Sequence, residues 1–188
     1  MIKALIVYGT RYGATTSTSE EIAKILRQEG LEVRVVDAKQ EKIKDIAEYD
    51  LVIVGSGIFN DKWASEPEEF LNKFQKELAA KKVALFVSSG AGVEVLTEGK
   101  PERIAEARRK HLEEKAAKYD LHPIALGLFS GIYDYNKVPW FVRRVRRVQE
   151  IKQKIEAAYK ETQPGVYDTR DWNAIRVWAK ELSQKVRS

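Results

Sequence analysis

A chain of 188 residues, 44% hydrophobic and 32% charged, has room for one full core, and no apolar run in it approaches the roughly 20 residues that span a bilayer. It contains no cysteine, which excludes disulfides, thiolate nucleophiles and cysteine-ligated zinc or iron–sulfur clusters; its two histidines, His111 and His122, lack metal-ligand spacing. The net charge of +5 permits an acidic partner without naming one, and with no zinc-finger spacing or RNA-recognition signature nucleic acid is not expected.

Lys3 to Tyr8, with Leu5, Ile6 and Val7 at its centre, suits a buried strand. It runs into "GTRYGATT", after which Ile22, Ile25 and Leu26 recur at helical spacing to about Glu29 and Gly30. Ser17 or Thr18, three residues before Glu20 or Glu21, offers a capping box. Strand, tight loop and helix in that order aim backbone N–H groups and the positive end of a helix dipole at one spot. Thr10, Thr15 and Thr16 add hydroxyls, so an anion belongs there. Neither familiar phosphate loop describes the stretch. Gly9 and Gly13 enclose three residues where a P-loop has four, and Arg11 stands where a dinucleotide fingerprint has its second glycine.

Glu32 to Val36 reads as a second strand, followed by a short helical or irregular piece around Ile43 to Ala47. Leu51 to Val54 is a third strand, and Pro67 to Leu78 a helix with Phe70, Leu71 and Phe74 on one face. Val83 to Val87 is a fourth strand, and Pro101 to Tyr119 a charged helix carrying His111 on its surface. Ile124 to Phe129 is a fifth strand, which His122 introduces. Five strands alternating with helices predict a doubly wound α/β fold, a parallel sheet covered on both faces. In such sheets ligands sit beyond the carboxyl ends of the strands, where strand order reverses. That rule selects "GTRYGATT", "GSGIFNDKWASEP" and "SSGAGVEVLTEG", all rich in Gly, Ser and Thr. Their convergence makes a phosphate seat beside two glycine-rich walls that can approach a flat ring through backbone atoms. Redox chemistry in a chain of this composition rests on an organic cofactor.

These loops resemble those of the flavodoxin-like proteins, whose five parallel strands run in the order 2-1-3-4-5 with flavin mononucleotide (FMN) at the switch point. The family phosphate loop reads Thr/Ser-x-Thr-Gly-x-Thr, and Thr10-Arg11-Tyr12-Gly13-Ala14-Thr15 is similar to it, with Tyr12 in place of the middle threonine. The resemblance implies FMN as cofactor, its phosphate held by Thr10, Arg11, Tyr12, Gly13, Ala14 and Thr15. It implies an isoalloxazine enclosed by Ser56, Gly57, Ile58, Phe59 and Asn60 on one side and by Ser88, Ser89, Gly90, Ala91 and Gly92 on the other. Gly57 would supply a peptide able to reorient toward flavin N5. Asp61 and Tyr133 are read as surface residues, with the ring edge as the other reading for each.

A likeness over nearly the whole chain is to the menaquinone-dependent protoporphyrinogen dehydrogenases. It is carried by "GTRYGAT", "GKPERIAEARRKHL", "GIYDYNKVPWF" and "YDTRDWNAIRVWAKEL". This resemblance implies an FMN-dependent oxidoreductase that passes electrons from a reduced organic substrate, protoporphyrinogen among the candidates, to a quinone-like or protein acceptor. No residue stands out as a general acid or base. Two other readings stay open, a flavodoxin-type electron carrier and a non-catalytic flavin-binding module.

Tyr133 to Tyr167 departs from a minimal flavodoxin. Val138, Phe141 or Val142, Val145, Val148, Ile151 and Ile155 fall on one helical stripe flanked by Arg143, Arg144, Arg146 and Arg147. Either residues 138–159 lie on an anionic membrane surface, where a quinone resides, or the stripe packs on the domain or on a second subunit of a homo-oligomer. The expectation is a single domain over residues 1–188 with an extra helical segment at about 133–167. Lacking a long apolar leader, it is expected in the cytoplasm or peripherally at the cytoplasmic membrane face.

Overall fold

Strands buried on both faces have no reason to alternate, and the first one shows it: β1 (Lys3–Gly9) sends Leu5 and Val7 into one core and Ala4 and Ile6 into the other. The computed structural model describes residues 1–188. After β1 come α1 (Ala14–Gln28), β2 (Glu32–Asp37) and β3 (Leu51–Phe59), then β4 (Lys62–Trp63), α2 (Ser65–Lys73) and α3 (Gln75–Leu78). β5 (Lys82–Ser89) leads to α4 (Ala91–Glu98), α5 (Glu102–Arg108), a π-helical turn over Arg109–Glu113 and α6 (Glu114–Lys118). The chain continues through β6 (Ala125–Ser130), β7 (Ile132–Asp134), α7 (Arg146–Ala158), β8 (Glu161–Gln163), β9 (Val166–Asp168) and α8 (Trp172–Lys185).

The main sheet runs β2-β1-β3-β5-β6, parallel throughout, which is the predicted 2-1-3-4-5 order counted over its parallel strands. Val36, Val7, Val54, Leu85 and Leu126 lie in one register row across it. On one face α1 and α8 contribute Ile22, Leu26, Ile175 and Leu182 to a core with Ile53 and Phe86. On the other, Phe70, Leu71, Leu112 and Tyr119 close over Leu5, Val52 and Leu85. The strand order reverses between β1 and β3, so the connections that leave their carboxyl ends run to opposite faces of the sheet and leave a crevice.

Several local expectations are corrected. Ser17 and Thr18 do not cap α1. The helix starts at Ala14, and both hydroxyls sit inside it and donate back to the Ala14 carbonyl at 3.3 and 3.0 Å. The helix expected over Pro67–Leu78 is broken at Phe74 into α2 and α3. Residues 91–98, expected as loop, form α4, and the long charged helix is interrupted by the π-helical turn. That turn rotates His111 inward, so it is buried where a surface residue was expected. Ile43 to Ala47 is irregular. The apolar stripe is helical only from Arg146; residues 140–144 are turns. The added segment is also partly sheet, since β7, β9 and β8 form a separate antiparallel sheet.

Candidate functional site

The carboxyl end of β1 delivers the first wall. Gly9 is required there, because a Cβ would stand 2.5 Å from Cδ of Pro67 in α2. Thr10 Oγ1 then accepts the Gly13 N–H at 2.9 Å, and Gly13, at φ +88°, turns the chain into α1 in a conformation that favours glycine. α1 has no side-chain cap and no acid in its first turn. Its leading N–H groups and the positive end of a 15-residue helix therefore face the crevice without compensation.

The second wall is the end of β3. Gly57 brings backbone close to this loop: a Cβ there would lie 3.2 Å from Thr15 Oγ1. β3 continues to Phe59 and folds back into β4 through Asn60 and Asp61. Their φ values of 46° and 62° form the left-handed pair that a two-residue hairpin loop needs. The end of β5 makes the third wall, with Ser88, Ser89 and Gly90. The three enclose a cavity of about 340 Å³, within the roughly 300–1,000 Å³ of small-molecule sites.

Eleven of the residues singled out from the sequence meet here: Thr10, Arg11, Tyr12, Ala14 and Thr15 from the first loop, Gly57, Ile58 and Phe59 from the second, Ser88, Ser89 and Gly90 from the third. Five do not line the cavity. Gly13 makes the turn itself, bonded to Thr10. Ser56 is fully buried, donating to the Gly57 carbonyl at 3.0 Å and accepting the Ala64 N–H at 2.9 Å, so its hydroxyl is spent on the backbone. Asn60 and Ala91 face a neighbouring cavity. Gly92 lets α4 lie on β6, since a Cβ there would stand 2.5 Å from Ser130 Oγ.

Two walls carry polar atoms that the protein leaves unsatisfied. Thr15 Oγ1 and Ser88 Oγ are both buried without a hydrogen-bond partner. Since an unpaired buried hydroxyl costs about 1–3 kcal/mol, each marks a place where a ligand atom is expected. At the mouth, Tyr12 and Phe59 pack edge to face with centroids 5.7 Å apart. The Arg11 guanidinium lies 3.9 Å from the Phe59 ring centre, and Lys137 Nζ lies 4.4 Å from that of Tyr12. The far wall adds Glu94 and Glu98, which the sequence reading passed over, to Tyr133 and Ile151. Glu94 and Glu98 of α4 make it acidic, Tyr133 closes one end and Ile151 of α7 another. Tyr133 is a residue that the sequence already offers for the ring edge; Glu94 and Glu98 are four apart on one helix face, a signal visible only once α4 is recognised.

Beyond the hairpin lies a second cavity of about 430 Å³, which shares Ile58, Phe59, Ser89, Gly90 and Glu94 with the first. Asp61 lines it and not the first. Its carboxylate is ion-paired with Lys110 and lies 2.9 Å from His111 Nε2. The bond from Lys110 holds the Asp61 carboxyl below the usual carboxylate range, while burial pushes His111 below the ordinary imidazole value, against the pull of Asp61. Burial also raises the Tyr133 phenol.

Residues 5–163 match the family model described as Flavodoxin domain. A stretch of 89 residues, 46% of this chain, is 33% identical to a flavodoxin from Clostridium beijerinckii and covers 64% of that protein, just under two thirds of its length. Over 182 residues, 97% of this chain and 95% of the relative, it is 21% identical to protoporphyrinogen IX dehydrogenase [quinone] of Escherichia coli strain K12. A solved flavodoxin from the domain Archaea superposes with a TM-score of 0.52 at 19% identity, covering 100% of both chains. No helix of this chain is long and apolar enough to cross a membrane.

Proposed function

The chain belongs to the flavodoxin domain family, and from that premise we propose that it is an FMN-dependent oxidoreductase passing electrons from a reduced organic substrate to a quinone-like acceptor. The observation that carries the cofactor is the pair of buried, unpartnered hydroxyls, Thr15 Oγ1 and Ser88 Oγ, on two walls of one cavity. The uncompensated start of α1, the Thr10 to Thr15 loop and the Thr15 hydroxyl would hold the phosphate. Backbone of Gly57 to Phe59 and of Ser88 to Gly90 would flank the ring, with Tyr133 at its edge. FMN, when bound, supplies the redox chemistry that a chain without cysteine lacks.

A reaction with its own substrate needs space beside the ring. The second cavity, which shares Ile58, Phe59, Ser89, Gly90 and Glu94 with the first, supports an enzyme over a simple carrier. So does the match along nearly the full length of a quinone-dependent dehydrogenase, whose porphyrinogen is the first substrate to try. The flavodoxin match supports the second reading, electron transfer between proteins. A quinone acceptor would be met at the turn ahead of α7, where Trp140, Phe141 and Val145 are 70%, 62% and 50% exposed beside Arg144.

The deciding experiment titrates the purified protein with FMN and then adds protoporphyrinogen and a menaquinone analogue under anaerobic conditions. Bleaching of the flavin spectrum by the porphyrinogen and its return with the quinone is the expected result. Exchange with reductase or ferredoxin-type proteins alone would make it a carrier, and failure to take up FMN would overturn both.

A further inference from the structure

Against the first turn of α1, and not among the residues that line the cavity, Arg170 has a side chain only 5% exposed. Its guanidinium forks onto Asp168, Nε to Oδ1 and Nη2 to Oδ2, both at 2.8 Å. Trp172 stacks on it at 4.2 Å and donates its indole N–H to Asp168 Oδ2 at 3.1 Å. The remaining nitrogen, Nη1, donates to the Ala14 carbonyl at 3.1 Å and to Ser17 Oγ at 2.5 Å. One residue earlier, Thr169 donates both its N–H and its hydroxyl to the Gly131 carbonyl, at 3.1 and 2.9 Å, and itself lines the cavity.

The Ala14 carbonyl belongs to the same peptide as the Thr15 N–H. In a helix the carbonyl points toward the carboxyl end and the N–H toward the amino end, so Arg170 grips the rear of a peptide whose front faces the cavity. A charged donor on a carbonyl polarises the whole amide and strengthens its N–H as a donor. It also fixes the plane of the peptide. The charge of Arg170 is neutralised by Asp168, and Arg170 is not among the residues that line the cavity.

We infer that Arg170 is a positioning residue for anion binding: through the Ala14–Thr15 peptide it sets the orientation and donor strength of the α1 start, and so determines preference for a phosphorylated flavin over an unphosphorylated one. The inference rests on FMN binding with its phosphate at this loop. Lysine at position 170 keeps the charge but cannot fork onto Asp168 while also reaching Ala14 and Ser17.

The test compares FMN with riboflavin, which lacks the phosphate, by fluorescence quenching in the wild type, R170K and D168N. Thermal unfolding of each flavin-free protein gauges folding, and S17A, which removes one Arg170 contact and leaves the fork intact, stands in if either variant fails to fold. The FMN-to-riboflavin affinity ratio is expected to fall about tenfold in R170K, with riboflavin affinity little changed, and to fall in D168N, where the guanidinium is no longer held. S17A lowers the ratio by a smaller factor. A ratio retained in R170K, or in S17A where it is the stand-in, overturns the inference, as does a rise in D168N, which would assign the effect to charge alone. A wild type that binds both flavins equally instead refutes the phosphate placement under Proposed function, and the inference with it.

Discussion

Thr15 and Ser88 each hold a buried hydroxyl that no protein atom satisfies, on the walls of the cavity proposed to hold FMN. Such a group is a liability in the empty protein and an asset in the loaded one, so the two states should respond oppositely to its removal. Thr15→Val is expected to stabilise the flavin-free protein by about 1 kcal/mol while weakening FMN about tenfold. Chemical denaturation and flavin titration of one preparation measure both. His111 makes a second prediction. Its pKa lies below the ordinary 6.5, chiefly through burial, with Asp61 pulling upward and Lys110 and Lys115 adding to the depression. Between that lowered value and 6.5 the unfolded chain binds more protons than the folded one, so stability rises with pH across this window and is lost on acidification from 6.5. His111→Gln should flatten that part of the stability profile, measured by denaturant unfolding at successive pH values.

At the scale of elements, the segment ahead of α7 divides its arginines by task. Arg143 turns inward, donating to the carbonyls of Val138 at 2.8 Å and Asn136 at 2.6 Å and stacking on Tyr135. Arg146 pairs with Glu150 and Arg147 with Glu98. Arg144 has no carboxylate partner and lies 5.8 Å from the exposed Trp140 ring. Arg143→Gln should therefore lower stability by about 1 kcal/mol, read by thermal melts. Arg144→Gln should leave the melt unchanged and weaken binding to anionic vesicles, read by flotation at low salt. The elements themselves were unevenly legible. Strands covered on both faces announce themselves as apolar runs, and Leu51 to Val54 needed nothing more. Residues 161–163 are wholly exposed and three long, so β8 has no pattern to read. α4 was hidden by its composition, with β-branched residues set between Gly92 and Gly99. Of the candidate site, the three strand-end loops were legible from the crossover rule. The wall from α4 and Ile151 depends on how distant pieces pack, which local pattern does not encode.

For the whole molecule, the cavity joins loops from both halves of the sheet to the added segment, through Tyr133 and Ile151. A ligand bound there stabilises by mass action every element that must be folded to hold it. FMN at a hundredfold excess over its dissociation constant should add about 2.7 kcal/mol and raise the melting temperature by roughly 5–10 °C, with riboflavin at equal concentration giving a smaller shift. Scanning calorimetry or dye-free fluorescence melts supply the measurement. If only part of the chain were stabilised, the single transition would split in two.

The pairing of α8 with α1 also bears on biosynthesis. Ile175, Ala179 and Leu182 are completely buried in the core that contains Ile22, Ala23 and Leu26 of α1. While the ribosome is still making the middle of the chain, α1 and one face of the sheet have no cover, because the helix that covers them is encoded more than a hundred residues later. A nascent chain halted before Trp172 exposes an apolar surface of the kind that chaperones hold and that aggregates when they do not.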